Sequence, residues 1–103
     1  MKLMTKEIEK KLPALGSQES IADPIVVVKF FSSFSDWKWY AIEGQREGSD
    51  FTFFGFVHGF EDELGYFSLS EMESVKGPLG LAIERDLYWK PVPLSEVKAG
   101  RAR

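Results

Sequence analysis

Three apolar runs decide the fold of this chain: IVVVKFF at Ile25–Phe31, WKWYAI at Trp37–Ile42 and FTFFGFVHGF at Phe51–Phe60. Successive side chains of a β-strand point to opposite faces of the sheet, and these runs place apolar residues on both. A strand with two apolar faces must be covered on both sides, or one side stays exposed to a partner. The runs therefore predict a sheet and raise the question of whether its aromatic face is core or interface.

The composition fits one globular domain spanning residues 1–103. Of the 103 residues, 44% are hydrophobic and 15% are aromatic, which suffices to bury a single core. Every apolar run is shorter than the roughly 20 residues that span a bilayer, and Met1–Leu12 is not followed by the apolar segment of a secretory signal. We expect a cytoplasmic protein with no membrane partner.

The strand and turn signals predict an antiparallel meander. A serine-rich turn separates Ile25–Phe31 from Trp37–Glu43, so these two runs should form a hairpin. Gly44–Asp50 contains glycines and charged residues and is predicted to be the next turn. In the third run, Gly55 and Gly59 indicate a bulge or a close approach of two backbones. A three-stranded meander follows.

The clearest helix signal lies after the meander. Ser68 and Glu71 have the spacing of a capping box, which predicts a short helix near residues 69–76. Gly77 suits the left-handed conformation that commonly follows a helix, so the helix should end before it. Before this helix, Tyr66 and Phe67 are predicted to form a short strand or a strand end.

The two ends of the chain complete the predicted fold. Thr5 is placed to cap an amphipathic helix that runs to about Leu12. Gly77–Gly80 reads as a tight turn, Leu87–Trp89 as a short edge segment, and the residues from Ser95 onward as one helical turn. The fold class is therefore α+β: a small single domain with an antiparallel sheet of about four strands and two short helices.

Side chains that serve in enzymes and metal sites are scarce. The chain has no cysteine and one histidine, which excludes thiolate zinc sites and multi-histidine sites. His58 could act as a general base beside Glu61 or Asp62, although a lone histidine on a sheet is more often a packed or rim residue. Glu84 and Asp86 could form an acid/base pair but lack a metal-loop spacing. We assign no catalytic residue, metal or cofactor, and we expect a protein that is not an enzyme.

Charge is distributed unevenly along the chain. Residues 43–86 contain ten acidic and three basic residues, while the flanks together contain six acidic and ten basic residues. An anionic middle segment disfavours a broad nucleic-acid-binding face, because phosphate contacts require clustered lysine or arginine. It is compatible with a basic protein partner, and equally with a solvated rim of the sheet.

Tryptophan, tyrosine and arginine are the residue types most enriched at binding hot spots. Trp37 and Trp39 fall on the same face of a strand, and a charged cluster follows the predicted helix. The candidate binding residues are Trp37, Trp39, Tyr40, Glu84, Arg85 and Asp86. The alternatives are that the aromatic residues form one side of the core, or that they stack bases. The exposed edges of a small sheet could also pair two chains into a homodimer.

Several segments together form a recognisable pattern: Asp23–Phe31, Trp37–Ala41, Glu43–Gly44, Phe53–Gly55, Glu63–Glu71, Gly77–Leu81 and Ile83–Leu87. In this pattern the chain resembles the bacterial family called domain of unknown function 2958, from Leu3 to about Val97. That family has no established activity and no accepted catalytic residues, and plasmids, phages and integrative elements of bacteria tend to carry it. The turn at Gln45–Asp50 is shorter here than the acidic insertions of the family, which implies that this segment is not essential.

These observations lead to three hypotheses. The first is a small accessory protein of a mobile element that binds another protein through the aromatic face. The second is a nucleic-acid-associated module in which Lys29, Lys38 and Arg85 reach phosphates. The third is a hydrolase or nuclease that uses His58, Glu84 and Asp86.

Overall fold

A five-stranded antiparallel sheet with the order β5-β4-β3-β2-β6 forms the centre of the computed structural model, which describes all residues from 1 to 103. The strands are β1 (Ile25–Val26), β2 (Val28–Ser32), β3 (Lys38–Glu47), β4 (Asp50–His58), β5 (Asp62–Ser68), β6 (Ile83–Arg85) and β7 (Val92–Pro93). The helices are α1 (Lys6–Lys11), α2 (Leu69–Ser74) and α3 (Leu94–Lys98). The predicted α+β class and antiparallel sheet are confirmed, with β1 and β7 forming a second, two-stranded sheet.

Each face of the main sheet packs against its own core. On the first face, Phe30, Phe53 and Phe67 pack under α1 and α2 with apolar residues of the N-terminal segment. On the second face, Tyr40 and Phe56 pack under α3 and the β1–β7 pair. Two-sided coverage is what the apolar character of both strand faces requires.

The first predicted strand is divided in two. Ile25–Phe31 was expected to be one strand, but β1 pairs with β7 while β2 pairs with β3 and β6. The division occurs at Val27, whose N–H donates to the carbonyl of Ala41 at 2.9 Å. Since β7 lies more than 60 residues downstream, no local signal could reveal this pairing.

The second hairpin turn is shorter than predicted. Gly44–Asp50 was expected to be a turn, but β3 continues to Glu47, and Glu47 pairs with Asp50 around a two-residue turn. Gly48 begins this turn with φ +61°, a conformation that glycine adopts without strain. Gly44 is buried inside the strand, and only glycine fits there because a Cβ would lie 2.5 Å from the ring of Phe51.

The predicted close approach at Gly55 is confirmed. A Cβ on Gly55 would lie 2.0 Å from the carbonyl oxygen of Tyr40 on the neighbouring strand. The irregularity in strand pairing lies opposite, between Ala41 and Glu43 of β3, so the bulged strand is β3. Beyond the bulge, Glu43 is buried and accepts hydrogen bonds from the backbone N–H groups of Gly16 and Gln18 at 2.8 and 2.7 Å.

The fourth strand of the meander is longer than predicted. The sequence indicates a short strand or strand end at Tyr66 and Phe67, but β5 begins at Asp62 and pairs with β4 along its whole length. The chain reverses earlier, at Gly59, whose N–H donates to the carbonyl of Glu61 at 3.2 Å. Acidic residues at the start of β5 concealed the strand, because such residues are typical of turns.

The capping box at α2 and a short helix near residues 69–76 are confirmed, whereas the left-handed conformation predicted for Gly77 is wrong. The N–H of Glu71 donates to the Ser68 hydroxyl at 3.2 Å. The helix ends at Ser74, and Gly77 has an extended φ of −99°. Gly77 is required there for a different reason: a Cβ would lie 2.4 Å from the ring of Phe34.

Of the elements predicted for the two ends of the chain, the cap, the tight turn and the C-terminal helical turn are confirmed, and the edge segment is not. Thr5 caps α1 by accepting a hydrogen bond from Ile8 at 3.2 Å, as predicted. The tight turn is present as a 3-10 turn at Pro78–Gly80, and α3 supplies the C-terminal helical turn. Leu87–Trp89 is not a strand but part of the turn before β7. No helix in the structure is both long and apolar enough to cross a membrane.

Candidate functional site

Trp37 and Trp39 lie together on the first face of the sheet, as their spacing predicted. Their ring centroids are 5.9 Å apart at an interplanar angle of 36°. The ring of Trp37 covers Gly59, where a Cβ would be only 2.6 Å from the indole, so glycine allows this contact. Both tryptophans are half-buried. Each tryptophan therefore packs partly against the core and leaves part of its side chain accessible to solvent.

Two phenylalanines that the sequence did not single out extend this region. The ring of Phe60 contacts Trp37 edge-on at 5.2 Å and is 94% exposed, and Phe34 is also exposed. Phe34 lies in the turn before β3, and Phe60 lies in the turn after β4, which ends at His58 although the third apolar run extends to Phe60. We call Phe34, Trp37, Trp39 and Phe60 the aromatic surface.

Two cavities meet at Trp37 on the aromatic surface. The first has a volume of about 390 Å³ and is lined by Ser32, Phe34, Ser35, Trp37, Trp39, Val75 and Ile83. The second has a volume of about 260 Å³ and is lined by Trp37, Val57, Gly59, Phe60, Glu61 and Glu63. Val75 caps the end of α2, so the helix stops at the border of the first cavity. The end of the sheet beyond α2 is left uncovered.

Tyr40 lies on the opposite face from the tryptophans. Its side chain is 0% exposed and packs against Phe56 and Trp89 in the second core. Burial raises the pKa of its hydroxyl. Tyr40 follows Trp39 directly, and adjacent residues of a strand face opposite sides. In this conformation Tyr40 has no surface to offer a partner, and its role is in packing.

The charged residues Glu84, Arg85 and Asp86 are directed to different partners. Arg85 donates to the backbone carbonyls of Lys2 and Leu3 at 2.9 and 3.2 Å, which fixes the N-terminal segment. Asp86 lies 3.9 Å from the ammonium of a different partner, Lys29. Consecutive side chains on β6 point to opposite faces, and this separates Arg85 from its two acidic neighbours.

His58 does pair with one of its predicted carboxylates. Its Nδ1 hydrogen-bonds to Asp62, whose other carboxylate oxygen accepts from Arg103 at 3.3 Å. Glu84 is remote from this pair, because β3 and β2 lie between β4 and β6. Three strand spacings correspond to about 14 Å. The structure therefore does not bring together His58 and Glu84, two of the residues of the hydrolase hypothesis.

The lysines of the nucleic-acid hypothesis are also placed away from the aromatic surface. Lys29 is 9% exposed on the second face, where its ammonium lies within 6.0 Å of the rings of Phe31, Tyr40 and Trp89. Burial lowers its pKa, while Asp86 opposes that shift. Lys38 lies between the two tryptophans in sequence and so points to the opposite face.

The His58–Asp62 pair predicts a dependence of stability on pH. The hydrogen bond from His58, and then that from Arg103, lower the pKa of Asp62 in the folded state. The unfolded state therefore binds the proton more readily, so this stabilisation is present above pH 4 and is lost as the pH falls through the folded pKa. We expect the urea midpoint to decrease between about pH 5 and pH 3, and Asp62→Asn to reduce that decrease.

A matched control for this titration is Glu61→Gln. Glu61 is exposed, and the carboxylate that pairs with His58 and Arg103 is that of Asp62, so removal of the Glu61 charge should leave the decrease unchanged. An equal pH dependence in wild type and Asp62→Asn would show that the pair does not stabilise the fold.

Comparison with known proteins identifies the family. No curated protein and no solved structure matches the chain. One family model, described as a protein of unknown function, matches residues 3–102, which is nearly the whole chain. The match covers the sheet, both cores and the aromatic surface. The chain therefore belongs to the family described as protein of unknown function (DUF2958).

Proposed function

We propose that this chain is a cytoplasmic accessory protein of a mobile element that acts by binding another protein through the aromatic surface. The observation that carries the binding proposal is Phe60, which packs edge-on against Trp37 while 94% of it remains exposed. The mobile-element setting is supported by the family resemblance. The binding mode is supported by the geometry of the surface.

Leaving this surface exposed has an energetic cost that a partner would remove. A large aromatic side chain can bury about 150–250 Å², at about 25 cal/mol per Å². Burial of the Phe60 ring alone would therefore contribute about 4 kcal/mol before ordering costs. Contiguous exposed aromatic groups beside a pocket are typical of interaction sites.

The acidic side chains beside the aromatic surface favour a basic partner. Glu61 and Glu63 line the same cavity as Trp37 and Phe60. An apolar side chain flanked by lysine or arginine would fill the cavity, pair with these carboxylates and place a cation near the aromatic rings. We therefore propose that the partner presents a basic segment with an aromatic or aliphatic anchor.

The same carboxylates disfavour the alternative in which the aromatic surface stacks bases. Phosphates would approach Glu61 and Glu63, whereas Lys29 and Lys38 lie on the second face. Single-stranded nucleic-acid sites combine aromatic platforms with a positively charged groove. Here Lys29 and Lys38 are on the opposite side of the sheet from the platform, and Arg85 is engaged by the backbone carbonyls of Lys2 and Leu3.

A displayed library of random 12-residue peptides tests the proposal. We expect selected peptides to combine an aromatic or aliphatic residue with lysine or arginine. Phe60→Ala should weaken their affinity by about 30-fold, since truncation of a hot spot costs about 2 kcal/mol. Affinity should also decrease with salt.

Tyr88→Ala is the matched control for Phe60→Ala. Tyr88 is almost as exposed as Phe60 but lies outside the aromatic surface, so the variant should bind within about twofold of wild type. Equal affinity of Phe60→Ala and wild type would contradict the proposal. Salt-dependent binding of single-stranded DNA that is lost in Phe60→Ala would favour the base-stacking alternative.

A further inference from the structure

The two edges of the main sheet differ in how well they are protected. β6 is three residues long, and the backbone N–H of Arg85 contacts the Met1 sulfur at 3.2 Å, so the N-terminal segment covers this edge. β5 is seven residues long and pairs only with β4. One row of its backbone N–H and C=O groups therefore faces solvent.

β5 has few of the features that normally protect a free edge. It contains no lysine or proline, and its pairing with β4 is regular from Asp62 to Ser68. Its only charged residues, Asp62 and Glu63, are at the start. A long, regular edge without such protection is a template for another strand.

Apolar side chains flank this edge on the second face. Leu64 is 47% exposed and Tyr66 is 70% exposed. Tyr66 packs edge-on against Phe54 of β4, with ring centroids 5.0 Å apart. Leu64 and Phe54 continue into a cavity of about 280 Å³ that Ile42 also lines. A strand added to β5 would therefore extend an apolar strip as well as the hydrogen-bond ladder.

When two copies of β5 run antiparallel, the residues on either side of Gly65 are apolar in both copies. We propose that β5 pairs antiparallel with β5 of a second copy of this chain, with Gly65 on the twofold axis. This register places Leu64 opposite Tyr66 of the partner subunit, and Asp62 opposite Ser68 of the partner subunit. The exposed apolar residues Leu64 and Tyr66 then face each other across the edge and the two Asp62 carboxylates lie apart, which favours the pair. A parallel arrangement would instead place like acids side by side.

Pairing of this kind joins two five-stranded sheets into one continuous sheet with twofold symmetry. Seven paired residues correspond to an edge of about 24 Å. The aromatic surface is on the first face near the start of β5, so the dimer would carry two aromatic surfaces toward opposite ends of the shared edge. The inference does not depend on the proposed function.

A single cysteine tests the register directly, because the natural chain has none. A Cβ on Gly65 meets nothing within 4 Å, so Gly65→Cys should fold normally. At the twofold axis the two Cα atoms would be about 4.5–5.5 Å apart, within the range for a disulfide. We expect mild oxidation at micromolar concentration to yield a covalent dimer.

Glu63→Cys is the matched control for the register. In the proposed pairing each residue 63 lies opposite Phe67 of the partner subunit, about 14 Å along the strand from its own equivalent. This variant should remain the mass of a single chain. Cross-linking of Gly65→Cys no faster than Glu63→Cys would overturn the register.

The full wild-type chain provides a second test. Sedimentation should show twice the chain mass with increasing concentration, and the double variant Leu64→Lys, Tyr66→Lys should show the mass of one chain. Both positions are exposed, so circular dichroism should be unchanged. A wild type that remains at the mass of one chain up to about 1 mM would overturn the proposal.

Discussion

Gly55→Ala is expected to destabilise the protein more than any other exchange of a glycine for alanine. The added Cβ would lie 2.0 Å from the Tyr40 carbonyl oxygen and 3.0 Å from the Cα of Ala41. These are backbone atoms of the adjacent central strand, so no side-chain rotation relieves the contact. Overpacking typically costs 1–3 kcal/mol and can cost more. We expect a loss of about 3 kcal/mol or more in the free energy of unfolding, measured by urea denaturation.

Gly65→Ala is the natural control, because Gly65 is paired directly with Gly55 on the next strand. An added Cβ there contacts nothing within 4 Å, and alanine loses less backbone entropy on folding than glycine. Its free energy of unfolding should lie within about 1 kcal/mol of wild type. Equal stability of the two variants would show that β3 can move away from Gly55.

The sequence predicts Gly55 correctly because its signal is local. A glycine in the middle of an apolar strand indicates a missing side chain, and the strand itself is marked by its flanking residues. The capping box at Ser68 and the cap at Thr5 were predictable for the same reason. Each depends on residues within one helical turn of each other.

The errors arise where distant segments decide the structure. Gly44 belongs to β3 because Phe51, across the hairpin, packs against it, although its neighbours are typical of a turn. β1 separates from β2 because β7 supplies a pairing partner from the far end of the chain. Local propensity contains no information on either contact.

The candidate site was only partly predictable for a related reason. Alternation separates Trp39 from Tyr40 onto different faces, but a strand that is apolar on both faces does not reveal which face is covered. In the structure, α2 ends at Ser74 and leaves Trp37 and Trp39 half-buried, while the second core encloses Tyr40. Phe34 lies in a turn and has no periodic pattern, whereas Phe60 belongs to a predicted strand that in the structure ends at His58.

Phenylalanine occupies two different environments in this chain. Phe53 and Phe60 are both phenylalanines of the third apolar run, but Phe53 is fully buried and Phe60 is almost fully exposed. Burial indicates a role in stability, whereas exposure beside a cavity is the basis of the proposed role in binding.

Phe53→Ala is therefore expected to lower the free energy of unfolding by about 3–5 kcal/mol, as is typical of a buried phenylalanine. Its ring lies 4.9–5.4 Å from the rings of Phe30, Phe51 and Phe67, so the deletion leaves a cavity between rigid groups. Phe60→Ala should change stability by less than about 0.5 kcal/mol. Urea denaturation of both variants measures the difference.

The two phenylalanine variants together separate folding from binding. Phe53→Leu keeps most of the buried volume, so it should recover most of the stability lost in Phe53→Ala. Folded Phe53→Leu should bind selected peptides as wild type does, because Phe53 lies beneath α2 and outside both cavities of the aromatic surface. If Phe60→Ala instead lost several kcal/mol of stability, the ring would be part of the fold. Its loss of affinity could then no longer be attributed to a binding surface.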